Sequence, residues 1–99
     1  MNITVRQTGG FAGVSVELAS IDTSALDPAR AEQIHQMLRQ ARFFELPATI
    51  QGAIGADQTY YEITIADGDR QHTVSFQQTD DSLATEPLRG LVATLLQMG

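Results

Sequence analysis

The chain has no cysteine, no lysine and few aromatic residues. Without cysteine there is no disulfide framework, no thiolate metal site and no cysteine nucleophile. Without lysine, every cation is an arginine: Arg6, Arg30, Arg39, Arg42, Arg70 and Arg89. These are scattered through a chain of formal charge -6 and pI near 4.5, with no basic stripe for a phosphate backbone. Neither nucleic acid nor an anionic membrane is an expected partner. The longest apolar runs fall far short of a bilayer span. The opening "MNITVRQTGG" has neither the basic start nor the apolar middle of a signal peptide, so a cytoplasmic location is expected.

What remains is a single domain of 99 residues with a hydrophobic fraction of 42%, ordinary for a globular core. One unit occurs twice: two strands, then a helix. Residues 2–8 and 13–19 alternate apolar and polar. A two-residue turn at Gly9-Gly10 would pair Val5 with Val14, Ile3 with Val16 and Met1 with Leu18. That register pushes Phe11 outward, near the hairpin tip. "SALDPARAEQIHQMLRQA" predicts a helix capped by Asp27, with Pro28 in its first turn. Ala31, Ile34, Leu38 and Ala41 form its buried stripe, with Met37 at the edge. "RFFELP" ends it, and Phe43 and Phe44 are expected to plug the base of the sheet.

"TYYEITIADGDRQHTVSFQ" predicts a second hairpin. A turn centred on Gly68-Asp69 aligns Tyr61 with Phe76 and Ile63 with Val74; a centre at Asp67-Gly68 is the competing register. "PLRGLVATLLQM" predicts the last helix, with Leu88, Leu91, Val92, Leu95 and Leu96 on one face. Gly90 within it costs about 1 kcal/mol against alanine, which a close packing contact would explain. The fold class is α+β: two-layer ββαββα, a four-stranded antiparallel sheet with both helices on one face. The other face is polar: Thr4, Ser15, Glu17, Glu62, Thr64, Gln71, Thr73 and Ser75. Chain direction places the Gly-Gly turn and the 48–58 and 78–86 loops at one end of the sheet. The 20–27 loop and the 66–69 turn fall at the other.

No catalytic constellation emerges. His35 reads as a surface histidine and His72 as a partly buried structural one. The serines lack a base and a nucleophile elbow. "GGFAG" lacks the lysine and Ser/Thr of a phosphate loop and precedes no helix. Asp67 and Asp69 flank a turn glycine; Asp80 and Asp81 solvate a loop and favour a helix start. The residues describe an acidic scaffold presenting partly apolar loops at one end, the form of a binding module and not of an enzyme.

"TGGFAG" after the first strand, "FFELP" after the first helix, "GAD" before the third strand and "DGDRQHTVSF" at the second hairpin resemble the emfourin family. The resemblance runs from Ile3 to the last helix. It implies a cytoplasmic bacterial inhibitor of protealysin-like, thermolysin-type zinc metalloproteases, blocking the active-site cleft with flexible loops. A carboxylate is a competent zinc ligand, and an aliphatic side chain can fill an adjoining pocket. With the resemblance, this nominates Asp57, then Asp80 or Asp81, for the protease zinc. Ile50, Ile54 and Phe11, with Gly10 beside it, are the candidates for pocket and cleft walls. A second rim, Asp22 with Ile21 and Leu26, ranks behind. Phe11 is either a lid on the outer sheet face or part of the contact rim. No metal or cofactor of the chain's own is expected, and a monomer is. The alternative is a non-inhibitory adaptor domain using the same rim.

Overall fold

A computed structural model describes residues 1–9, 15–48, 59–77 and 85–98. Strands β1 (Asn2–Gly9), β2 (Val16–Asp22), β3 (Thr59–Asp67) and β4 (Arg70–Gln77) form one antiparallel sheet in the order β2-β1-β3-β4. Helix α1 (Pro28–Ala41) follows β2, and α2 (Glu86–Met98) is the last element. This is the expected ββαββα architecture.

The sheet's inner face is built in rows. Ile21, Ile3, Ile65 and His72 lie side by side across all four strands. Ala19, Val5, Ile63 and Val74 form the next row, and Gln7, Tyr61 and Phe76 a third. The helices bury Ile34, Leu38, Leu88, Leu91, Val92 and Leu95 against these rows. The outer rows are polar, Ser20-Thr4-Thr64-Thr73 and Glu17-Arg6-Glu62-Ser75. A hydroxyl pair, Thr64 Oγ1 and Thr73 Oγ1 at 2.9 Å, ties β3 to β4 on this face.

The first hairpin departs from the expected register. Ile3 pairs with Ile21 and Val5 with Ala19, so the two-residue turn does not form and Met1 does not face Leu18. The pairing slips between Val5 and Arg6, where Glu17 becomes the partner of Arg6. Residue 3 has moved from partner 16 to partner 21, an odd shift, and an odd shift exchanges the faces of a strand. Ala19 and Ile21 are therefore buried; past the slip the phase is restored, and Val16, opposite Gln7 at the end of an edge strand, is 49% exposed. Burial decides the matter: a Gly9-Gly10 turn would strand Ile21 beyond the sheet, whereas this register puts it in the core. The longer connection costs little, because closure entropy grows only slowly with loop length. Gly9 still needs its glycine, at φ 101. Gly10, Phe11 and Val14 lie outside the described residues.

The second hairpin takes the Gly68-Asp69 centre, pairing Tyr61 with Phe76, Ile63 with Val74 and Asp67 with Arg70. Gly68 alone in the turn has a positive φ, 61°, the requirement of the first central position of a II′ turn. Helix α1 begins as expected: Asp27 accepts from Arg30 N at 2.8 Å, and Pro28 sets the first turn. It ends at Ala41, where "RFFELP" begins, as expected. Arg42 adopts a left-handed conformation, φ 51 and ψ 50, and turns the chain into a 3₁₀ turn over Phe43–Glu45. In α2, Leu96 sits at the margin of the apolar face and is 38% exposed, not buried with the other four. Nor does Gly90 serve a tight contact: a Cβ there would meet only Met37 Cε, at 3.9 Å.

Candidate functional site

The strand pairings fix where the long connections attach. Gly9 lies opposite Thr59, Gln7 opposite Val16, and Tyr60 opposite Gln77. The chain therefore leaves β1, enters β2, enters β3 and leaves β4 at the same end of the sheet. This is the expected grouping of the three connections. The residues nominated within them, Gly10, Phe11, Ile50, Ile54, Asp57, Asp80 and Asp81, lie outside the described residues. What the fold provides is their anchorage. Behind Tyr60 and Gln77 stand the fully buried Ile63, Val74 and Phe76, and Tyr61 packs on Phe76 with ring centroids 5.8 Å apart. A second anchor is Ser75, whose N–H donates to Ala48 O at 2.8 Å and pins the chain leaving Pro47 along the edge of β4.

The other end carries the second rim. Ile21 is in the core and Leu26 packs against it. Asp22 is exposed, but its carboxylate is engaged: Oδ1 accepts from Ser24 Oγ at 2.7 Å and Ser24 N at 3.0 Å. The hydroxyl bond and then the backbone bond hold its pKa below the usual 3.8. It caps the 3₁₀ turn Thr23–Ala25, which returns the chain to β1 through Thr23 N to Met1 O at 2.9 Å.

His72 is the structural histidine the strand pattern implied. Its Nε2 lies 2.7 Å from Leu46 O, and since a carbonyl only accepts, Nε2 carries the proton. Phe43 stands edge-on to it at 5.6 Å. His35, half-buried on α1, borders a cleft of about 540 Å³ at this end of the sheet. Arg39, Arg42 and Arg70 also line that cleft, with Glu45 and Asp67, over Leu38, Phe43 and Phe44. Nothing in the linear sequence groups these arginines; helix phase brings His35 and Arg39 to one stripe, the left-handed turn that ends α1 carries Arg42, and the β3–β4 turn supplies Arg70. Among the described residues no group of three His, Asp or Glu side chains could hold a metal ion. No helix there is long and apolar enough to cross a membrane.

The fold and the placement of its long connections define a loop-presenting α+β scaffold domain. The family model for emfourin matches residues 5–96, nearly the whole chain. The chain belongs to the emfourin family, a family of protease-inhibitor domains. No curated protein and no solved structure gives a significant match.

Proposed function

We propose that the chain inhibits a protealysin-like, thermolysin-type zinc metalloprotease in the cytoplasm, acting through the loops attached at the Gly9, Thr59 and Gln77 end. The observation that carries this reading is the common anchorage of three long connections on one buried sheet, in a chain of an inhibitor family. Loops carried on a rigid scaffold are a common place for binding residues. Asp57 is the first candidate to reach the protease zinc, with Asp80 and Asp81 behind it. A carboxylate oxygen ligates zinc at about 2.0–2.2 Å and displaces the water that performs hydrolysis. Ile54, Ile50 and Phe11 supply the apolar contacts.

The test is a titration of thermolysin and a protealysin-like enzyme against this protein, following cleavage of a small peptide. Activity is expected to vanish near one equivalent and to recover as substrate is raised. Asp57→Ala and Ile54→Ala should each weaken inhibition at least about tenfold, close to 1.4 kcal/mol, with the thermal midpoint unchanged. Full protease activity at large excess of inhibitor overturns the reading and leaves an adaptor domain whose partner lies elsewhere.

A further inference from the structure

The cleft between α1 and the β3–β4 turn lies at the end of the sheet away from the loops, roughly 23 Å along β1 at 3.3 Å per residue. Its volume, about 540 Å³, is in the range of small-ligand sites. Three features set it apart from a surface hollow.

The first is charge. The chain carries -6 overall, yet three of its six arginines face this one cleft. Two of them have acidic neighbours: Arg39 contacts Glu32 at 2.9 Å and Arg70 contacts Asp67 at 3.2 Å. Both pairs are exposed and solvent-screened, and each occupies only part of a five-donor guanidinium. Arg42 has no side-chain hydrogen bond or ion pair among the described residues.

The second is backbone. Arg42 stands at the left-handed position that ends α1, where glycine is the usual occupant. A non-glycine residue costs about 1–2 kcal/mol there. Its N–H closes the helix on Leu38 O and Arg39 O, a bond glycine would make equally well. The turn therefore does not explain the side chain. Strain kept at a residue that borders a cleft points to a use for that side chain.

The third is the wall. The Arg70 guanidinium lies over the Phe44 ring, 4.2 Å from its centroid, and Phe43 meets Phe44 edge-on at 5.7 Å. Stacking leaves the guanidinium's edge for planar, bidentate recognition. The apolar body of a ligand would lie on Phe44 and Leu38.

We propose that this cleft binds the carboxylate of an apolar acid, with Arg42 and Arg70 on the carboxylate and the Phe44 side as the apolar wall. A monoanion fits better than a phosphate, because Glu45 and Asp67 on the same rim repel a dianion. Two sources share this chemistry: a free aromatic acid, and a peptide C-terminus ending in an apolar residue.

The test is a ¹⁵N-edited NMR titration of the full chain with N-acetylphenylalanine, its amide, and the peptide Ala-Ala-Phe as acid and as amide. The acids are expected to give saturable shifts at His35, Arg42, Phe44 and Arg70, and the amides to bind at least about tenfold more weakly. Arg42→Gly should weaken the acid by about tenfold or more, while thermal stability holds or rises because the strain is released. Arg70→Gln should weaken it as well. A peptide acid much tighter than N-acetylphenylalanine assigns the site to a C-terminus; equal affinities assign it to a free acid. The proposal is overturned by an absence of saturable shifts at millimolar acid, by amides binding as well as acids, or by Arg42→Gly binding as the parent does. Because the readout is direct binding, the result is independent of protease inhibition.

Discussion

Asp22 and Asp27 show how much a single carboxylate can organise. Asp27 was legible: an Asx residue before proline, followed by an apolar stripe spaced by three and four, is a strong helix-start signal. Asp22, a candidate for the second rim, accepts two bonds from Ser24, two residues on. The two bonds favour the charged form, so the folded pKa lies below the unfolded one. Their stabilisation is fully present above the usual 3.8 and is lost as pH falls through the lowered value. Ser24→Ala should therefore raise the Asp22 pKa toward 3.8, read by NMR titration of its carboxyl. It should also lower stability near neutral pH more than in acid; an equal loss at both would remove the carboxylate from the account. Arg42 was hidden for a different reason. A left-handed residue is recognisable in sequence only when it is glycine or asparagine.

At the scale of elements, the two hairpins gave opposite outcomes from the same kind of evidence. "ADGD" offers two centres whose registers differ by two residues, so both keep the apolar sets of β3 and β4 on one face, and the structure takes the Gly68-Asp69 centre. "TGGFAG" offered an equally tidy turn, but β2 contains a second apolar set, Ala19 and Ile21, in the opposite phase to Val14, Val16 and Leu18. Local pattern could not choose between the phases; the slip at Val5/Arg6 and the burial of Ile21 did. Glycines separate in the same way. Gly68 needs its positive φ, and Gly68→Ala should destabilise the domain by about 1 kcal/mol. Gly90 is helical with only Met37 near, at 3.9 Å, so Gly90→Ala should stabilise it by about 0.5–1 kcal/mol. Denaturant midpoints of the two variants should therefore move in opposite directions, and a loss on Gly90→Ala would show that α2 requires the smaller residue.

For the whole molecule, the core is a single cluster in which both helices share the inner rows of the sheet. Leu91 is fully buried within it, and Leu91→Ala should cost about 2–5 kcal/mol, read as a lower denaturant midpoint across all probes. A small local change at α2 alone would mean that the layers unfold separately. Composition, alternation and helix phase were enough to determine the ββαββα order, most of both helix faces, the presence of a second hairpin and the sharing of one sheet end by the long connections. All of these depend on periods of two or 3.6 residues and on chain direction, which sequence carries directly. Strand order, the register of β2 and the gathering of Arg39, Arg42 and Arg70 around one cleft were decided only in three dimensions. Each depends on which distant surfaces bury one another, and burial is a property of the assembled layers, not of any stretch of chain.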